Sequence, residues 1–119
     1  MAWEVEYTDT FADWWGGISE AEQEDIAVKV KLLEKVGPAL GRPHADSLAK
    51  QSEYPNMKEL RIVHGGDAYR VLFAFDPRRV AILLLGGRKA DQKWYKTAIP
   101  AADNLYGEHL AQLRKEKLI

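Results

Sequence analysis

The sequence contains no cysteine, which excludes disulfide bonds, thiol nucleophiles and cysteine zinc sites. Long apolar runs are also missing, since the longest, residues 80–85, is far too short to span a bilayer. The first residues are acidic and include no apolar stretch of the kind found in a secretory leader. These absences predict a soluble cytoplasmic protein that does not interact with a membrane.

Length and composition are those of an ordinary globular protein. The chain has 119 residues, of which 46% are hydrophobic and 29% are charged. A chain of this size buries a core without help from disulfides or metals. Because no internal repeat or low-complexity tract divides the chain, we expect a single domain over residues 1–119.

Net charge is close to zero, with 17 Lys and Arg against 18 Asp and Glu, and this total argues against a nucleic-acid-binding protein. The charges are nevertheless separated along the chain. Residues 1–57 carry 5 basic and 11 acidic side chains, whereas residues 58–96 carry 9 basic and 4 acidic ones. A basic region of this kind attracts phosphate, with an affinity that falls as salt rises. The second segment is therefore the candidate surface for nucleic acid.

A β-hairpin is predicted around Gly65 and Gly66, because two runs of strand-forming residues flank this Gly-Gly pair. If the two glycines form the turn, Arg61 lies directly opposite Arg70. Side chains alternate along a strand, so both arginines share one face of the hairpin. The apolar side chains of the hairpin then share the opposite face, which we expect to be the core.

Two explanations of the arginine pair follow. In the first, Arg61 and Arg70 are solvated residues on the outer face, neutralised by nearby Glu59 or Asp67. In the second, the two guanidinium groups, which would otherwise repel each other, hold an anion between them. An outward-facing arginine contributes little to stability, so we expect replacement of Arg70 to leave the fold intact.

The first half of the chain predicts one strand and two helices. Residues 3–7 alternate between large apolar and acidic side chains, the pattern of a half-buried strand. The segment 8–10 supplies cap residues for a first helix. Ser19 and Glu22 form the sequence of a capping box for a second helix, which ends at Gly37. The two helices are expected to form a hairpin.

The second half predicts a three-stranded meander between residue 58 and the Gly86-Gly87 pair, preceded by a helical turn over residues 45–51. After the meander, Asp91 is expected to cap a short helix that ends near Ile99. Pro100 is then expected in the first turn of a separate last helix. The fold class is therefore α+β, with an N-terminal strand and helical hairpin packed on a mainly antiparallel sheet and a closing C-terminal helix.

Several segments of the basic region occur in an order that is typical of one family. They are Lys58-Glu59-Leu60-Arg61, residues 69–75, residues 76–79, Gly86-Gly87 before Lys89, Trp94-Tyr95 and residues 99–103. This combination resembles the RelE-like superfamily of type II toxin-antitoxin toxins, and within it the HigB type of phage-derived toxin. The resemblance extends over residues 3–113, nearly the whole chain.

The resemblance implies a RelE-like fold and an endoribonuclease that cleaves mRNA in the ribosomal A site and contacts ribosomal RNA. It also implies a cognate antitoxin with a helix-turn-helix domain that silences the toxin. Two alternatives remain open. The protein could poison another macromolecule without cleaving RNA, as the gyrase-directed ParE branch does, or it could be an inactive phage-derived remnant that only binds an antitoxin.

RNA supplies its own nucleophile, the 2′-hydroxyl, so cleavage requires orientation, proton transfer and neutralisation of the phosphate. No metal or other cofactor is expected, because the three histidines are widely spaced and no carboxylates cluster as ligands. Arginine is a planar, permanently charged group that suits the charge developing on phosphate oxygens. We assign this role first to Arg70 and second to Arg61.

Proton transfer is assigned, by resemblance, to Lys58, Lys93 or Tyr95. Neighbouring arginines would lower the pKa of a lysine toward the useful range. Tyr95 could instead orient the 2′-hydroxyl, stack on a base, or pack as a buried aromatic between helix and sheet.

Four further basic residues are candidates for RNA binding. Arg78 and Arg79 lie in the turn after Asp76-Pro77, where the simpler explanation is an exposed turn charge and the functional one is contact with ribosomal RNA. Arg88 and Lys89 follow the last strand of the meander, at the start of the basic aromatic segment that leads to the next helix.

Overall fold

The computed structural model describes residues 2–119, whose strands form one sheet in the order β1-β5-β4-β3-β2. The elements are β1 (Val5–Tyr7), α1 (Asp9–Gly17), α2 (Glu20–Val36), β2 (Ala45–Ser47), β3 (Met57–His64), β4 (Asp67–Phe75), β5 (Ala81–Arg88) and α3 (Trp94–Lys115). Strand β1 is parallel to β5, and all other neighbouring strands are antiparallel. The predicted α+β architecture is confirmed.

The β3–β4 hairpin has the predicted register. Gly65 and Gly66 have φ values of +58° and +83°, as the favoured two-residue hairpin turn requires. Arg61 consequently lies opposite Arg70, and His64 lies opposite Asp67. The register depends only on the turn and the strand period, both of which are local properties of the sequence.

Both faces of the sheet are covered, so the expectation of one core face and one outer face is wrong. On the helical-hairpin face, α1 and α2 pack on Leu60, Val71 and Phe73. On the opposite face, here called the α3 face, helix α3 packs on Leu72 and Ala74. Residues 71–75 of central strand β4 are all apolar, as is typical of a strand that is buried on both faces.

The N-terminal helices begin where their cap residues predict. The Thr8 side chain accepts a hydrogen bond from the backbone N–H of Phe11 and caps α1. Ser19 and Glu22 form the capping box of α2, with both reciprocal hydrogen bonds present. Helix α2 ends before Gly37, whose φ of +73° suits a residue without a side chain.

Two predicted elements differ in the structure. Residues 45–47 form edge strand β2 beside β3, and the turn follows later, where the N–H groups of Gln51 and Ser52 donate to the Leu48 carbonyl. This strand exists because β3 has a free edge, which the local sequence does not reveal.

The two predicted C-terminal helices are one continuous helix, α3, with Pro100 inside it. Asp91 accepts a hydrogen bond from the Lys93 N–H in the turn that precedes this helix. Apolar residues on both sides of Pro100, including Ile99 and Ala102, lie on one stripe against the sheet. Packing of that stripe outweighs the loss of one backbone hydrogen bond at proline.

The Gly86-Gly87 pair lets one tryptophan pack against each face of β5. A Cβ atom on Gly86 would lie 2.3 Å from the Trp14 ring, and one on Gly87 would lie 2.8 Å from the Trp94 ring. Trp14 belongs to α1 and Trp94 opens α3. Because Gly87 has no side chain, Trp94 and with it the first turn of α3 lie close to the sheet.

Replacing Gly87 by alanine is expected to lower the free energy of unfolding by about 1–3 kcal/mol, because the added methyl group overlaps Trp94. Gly16→Ala is the matched control, since no atom lies within 4 Å of its Cβ position and alanine favours the helix. Urea denaturation of both variants measures the difference. Equal stability of the two variants would show that Trp94 is not held against β5.

Candidate active site

Four side chains on the α3 face form one connected group, here called the Glu59 cluster: Glu59, Arg61, Arg70 and Tyr95. The Tyr95 hydroxyl donates to Glu59 Oε1 at 2.6 Å and accepts from Arg70 Nε at 3.2 Å. Arg70 Nε is 3.5 Å from Glu59 Oε1, and Arg61 Nη1 is 3.3 Å from Glu59 Oε2. One carboxylate therefore contacts both guanidinium groups and the phenol.

Strand geometry and one helix terminus bring these residues together. Glu59 and Arg61 are two residues apart on β3, so they share a face, and Arg70 lies across from Arg61 on β4. Arg70 is further held by a hydrogen bond from Nη1 to the Tyr69 carbonyl at 3.0 Å. Tyr95 reaches the group from the first turn of α3.

The two arginines differ in how deeply their side chains are buried. The side chain of Arg70 is 7% exposed, whereas that of Arg61 is 30% exposed. The expectation that Arg70 faces outward is therefore wrong, because α3 covers this part of the sheet. Arg61 is the accessible guanidinium, and its Nη1 also lies 3.8 Å from Asp46 on β2.

Glu59 accounts for the close approach of the two arginines, so the counterion of the first explanation is confirmed, but its premise that both arginines are solvated is wrong for Arg70. Glu59 is 2% exposed, which is unusual for a glutamate. The sequence predicted Glu59 only as a nearby counterion and did not predict that it contacts both arginines and Tyr95. The available signal was its position two residues before Arg61, on the same strand face.

Tyr95 is held in its protonated form. Burial is the main cause that raises the pKa of the Tyr95 phenol, and the hydrogen bond to Glu59 raises it further. At neutral pH the hydroxyl is therefore a hydrogen-bond donor to the carboxylate. A neutral phenol accepts a proton from another group only if it releases its own.

Of the three residues predicted to transfer protons, Tyr95 alone belongs to the Glu59 cluster. Lys93 is exposed at the position before α3. Lys58 lies on the helical-hairpin face, where its Nζ donates to the Pro38 carbonyl at 2.8 Å, so the structure does not place it with the others. The cause is strand alternation, since Lys58 is one residue from Glu59 and three from Arg61.

The four residues predicted to bind RNA are also separated. Lys89 lies beside the cluster, with its Nζ 5.7 Å from the centre of the Tyr95 ring. Arg88 pairs with Asp67. Arg78 and Arg79 follow the far end of β4, which lies about 17 Å along the strand from Arg70.

Both turn arginines have partners within the protein. Arg78 binds Asp76 at 2.8 Å and Glu6 at 2.9 Å. The guanidinium of Arg79 lies over the Trp3 ring, 5.2 Å from its centre. These contacts tie the β4–β5 turn to the N-terminal segment, which is a structural role.

Asp76 makes this turn sensitive to acid. Burial acts to raise its pKa, but hydrogen bonds from Arg78, His109 and the backbone outweigh burial and hold the pKa below the usual value of 3.8. A carboxylate with a lowered pKa stabilises the fold above its unfolded-state pKa. That contribution is lost as pH falls through the lower, folded-state pKa.

We therefore expect the free energy of unfolding to decrease below about pH 4, and to decrease less steeply in Asp76→Asn. The variant should also be less stable than the wild type at pH 7, where it lacks the ionised carboxylate. Asp13→Asn, at an exposed position, is the control. Urea titrations from pH 7 to pH 3 test this, and identical pH slopes for wild type and Asp76→Asn would contradict it.

Two negative findings apply to residues 2–119. No group of three or more His, Cys, Asp or Glu side chains in this part of the chain is arranged to hold a metal ion. None of its helices is both long and apolar enough to cross a membrane.

Comparison with known proteins gives matches in both sequence and structure. The family model described as phage-derived protein Gp49-like matches residues 13–107. Two relatives from Mycobacterium tuberculosis carry the toxin names HigB2 and HigB3. HigB2 is 43% identical over 107 residues, which cover 87% of this chain and 53% of that protein. HigB3 is 46% identical over 92 residues, which cover 76% of this chain and 78% of that protein. The chain therefore spans about half the length of HigB2.

Among solved structures, the archaeal RelE–RelB complex from Pyrococcus horikoshii contains a chain of similar fold. The match has a TM-score of 0.55 and 14% sequence identity, and it covers 76% of this chain and 98% of that chain. At this identity the likeness concerns the fold alone.

Proposed function

This chain belongs to the Gp49-like family of phage-derived proteins, of the RelE/HigB toxin type, and on that premise we propose that it is the toxin of a type II toxin-antitoxin system. We propose further that it is an endoribonuclease that cleaves mRNA on the ribosome in the cytoplasm and so inhibits translation. The observation that carries this proposal is the Glu59 cluster, in which one buried carboxylate contacts an accessible arginine and accepts a hydrogen bond from a phenol.

The reaction we propose uses the 2′-hydroxyl of the mRNA as nucleophile. Arg61 binds the scissile phosphate and stabilises the charge that develops on its oxygens. Arg70 is too buried to be the main phosphate ligand and instead orients Glu59 and Tyr95. Divalent metal is not required, and the products end in a 2′,3′-cyclic phosphate or a 3′-phosphate.

The ribosome supplies orientation that the protein lacks by itself. The chain has a net charge of −1, and its N-terminal half is acidic, so capture of free RNA is weak. Lys89 provides positive charge beside the cluster, and exposed Lys93 provides it two residues before Tyr95 in the chain, for contact with mRNA or ribosomal RNA. Orientation in the A site contributes several kcal/mol to such a reaction.

The proposed partner that silences the toxin is a cognate antitoxin with a helix-turn-helix domain. The archaeal RelE of similar fold was solved in complex with RelB, and this supports an antitoxin partner for the present chain. Co-expression with the product of the adjacent short reading frame should yield a stable complex. Growth arrest by the toxin alone, relieved by that product, is the expected cellular result.

Primer-extension mapping tests the nuclease proposal. An mRNA is incubated with the protein, with and without programmed ribosomes, and with chelator at a level that leaves ribosomes intact. We expect cleavage only with ribosomes and without added divalent metal. Products ending in a 3′-hydroxyl, or cleavage of naked RNA that needs Mg²⁺, would contradict the mechanism.

A second candidate function is poisoning by binding, as in the ParE branch. It is favoured by the pairing of Arg61 with two carboxylates and by the burial of Arg70, which leave little free positive charge at the cluster. Inhibition of gyrase supercoiling without any mRNA cleavage would support it. Absence of both activities, with antitoxin binding retained, would indicate an inactive remnant.

A further inference from the structure

A cavity of about 300 Å³ lies between the turn that follows β2 and the first turns of α3. Its lining residues are Gln51, Gln92, Tyr95, Lys96, Ile99 and Pro100. The cleavage chemistry proposed above does not use the two glutamines or Lys96. The volume is at the lower end of the range for ligand pockets, which suits one small group rather than a peptide segment.

The wall that carries Gln51 is anchored to α3 by a buried carboxylate. The N–H groups of Gln51 and Ser52 both donate to the Leu48 carbonyl, at 3.0 and 2.9 Å. Ser52 Oγ donates to Asp103 Oδ1 at 2.5 Å, and the Glu53 N–H donates to Oδ2 of the same carboxylate at 3.0 Å. Asp103 belongs to α3 and is 6% exposed. The turn is therefore fixed in place before any ligand binds.

The other lining residues come from α3 and from the turn that precedes it. The Gln92 carbonyl accepts a hydrogen bond from the Tyr95 N–H at 3.3 Å, which fixes that turn. Buried Ile99 and exposed Pro100 contribute apolar surface. The Lys96 carbonyl has no helical donor, because the residue four positions on is Pro100, which lacks an N–H. The cavity thus combines apolar surface with polar groups that are free to bind a ligand.

Apolar surface beside side-chain amides suits a nucleobase. Bases of single-stranded RNA turn outward, stack on aromatic or apolar side chains and form hydrogen bonds along their edges. Each glutamine also has an exposed lysine as its neighbour in the chain, in Lys50-Gln51 and Gln92-Lys93. Contacts to phosphates position a nucleic acid, and contacts to bases read its sequence. The lysines suit the phosphates on either side of a base that the amides contact.

The donors and acceptors of the cavity favour guanine over adenine. The Lys96 ammonium group only donates hydrogen bonds. Guanine offers a lysine two acceptors, O6 and N7, whereas adenine has a donating amino group in place of O6. The carbonyl oxygen of a glutamine amide accepts from the N1–H and amino groups of guanine. A lysine together with glutamines therefore matches guanine on both sides of its Watson–Crick edge.

From this arrangement, and resting on the proposed nuclease function, we infer that the cavity binds a guanine base of the mRNA beside the cleaved bond. Gln51, Gln92 and Lys96 are the specificity-determining residues. Tyr95 lines the cavity and also bonds to Glu59, so the bound base lies next to the Glu59 cluster. Cleavage consequently depends on the mRNA sequence at the cut.

The first experiment measures binding without cleavage. The intact protein is titrated with the trinucleotides UGU and UAU, in which 2′-O-methyl groups replace the nucleophile. NMR spectra record the side-chain amide signals of Gln51 and Gln92. Both signals should shift at a concentration of UGU about tenfold lower than of UAU, as expected for discrimination by a base contact. The signal of exposed Gln112, in the last turns of α3, is the internal control and should not move. Equal shifts with the two trinucleotides, or none with either, would overturn the inference.

The second experiment measures single-turnover cleavage on ribosomes programmed with A-site codons that carry guanine or adenine at one position at a time. Guanine beside the cut should increase the wild-type rate about tenfold. Gln51→Leu and Gln92→Leu should reduce this ratio. Lys96→Glu should shift it toward adenine, because a carboxylate accepts from the adenine amino group and repels guanine O6. Gln112→Leu and Lys115→Glu, at exposed positions of α3, should keep the wild-type ratio.

The ratio of the two rates separates base recognition from a structural role, since partial unfolding lowers both rates equally. If the wild type does not cleave mRNA on ribosomes, the nuclease function fails and the guanine site fails with it. If it cleaves without preference for guanine, or if the ratio is unchanged in all three cavity variants, the nuclease function stands and only the guanine site is overturned. Shifts produced equally by free guanosine monophosphate, without a codon preference, would indicate a site for a free nucleotide and overturn the assignment to mRNA.

Discussion

Arg61→Ala is expected to reduce mRNA cleavage on programmed ribosomes by about a hundredfold to a thousandfold, the usual loss when one group that stabilises transition-state charge is removed. Arg61 is the guanidinium of the Glu59 cluster that a phosphate is able to reach, since its side chain is 30% exposed. Growth arrest on induction should be relieved to a matching extent. Single-turnover rates and colony counts measure the two effects.

The control for Arg61→Ala is Arg114→Ala, which removes the same charge from an exposed position in the last turn of α3. A nonspecific electrostatic effect would weaken both variants similarly and would respond equally to salt. The Arg61 assignment fails if Arg61→Ala folds and cleaves at the wild-type rate. It also fails if the two variants lose activity equally.

Arg70→Ala is expected to lower the free energy of unfolding by about 3–5 kcal/mol, because the buried Arg70 guanidinium contacts Glu59, the Tyr95 hydroxyl and the Tyr69 carbonyl, and solvent does not replace it there. Loss of this variant's toxicity would therefore reflect partial unfolding as well as chemistry. Urea denaturation followed by tryptophan fluorescence gives the stability difference. This expectation reverses the one drawn from the sequence, which placed Arg70 on an outer face.

Arg61→Ala is the matched comparison for stability, since it removes the opposite member of the same cross-strand pair. Its more exposed side chain should contribute only about 1 kcal/mol. Similar losses in the two variants would show that burial does not separate the arginines. A fully stable Arg70→Ala would show that Glu59 does not depend on it.

Local patterns predicted much of the fold. The caps at Thr8 and Ser19 mark the starts of α1 and α2, because capping is a contact between residues two to three positions apart. The predicted helix boundary at Pro100 was wrong, because proline is a local signal for such a boundary, whereas α3 continues past it. Edge strand β2 was missed because its formation depends on pairing with β3.

The sequence by itself determined the hairpin register and so the opposition of Arg61 and Arg70, because a two-residue glycine turn specifies which residues pair. Only the tertiary structure decided that Arg70 is buried and Arg61 accessible, because helix α3 covers one and not the other. It likewise decided that Tyr95 meets Glu59, 36 residues away in sequence. Such a contact depends on the docking of a helix on a sheet, which no pattern in either segment specifies.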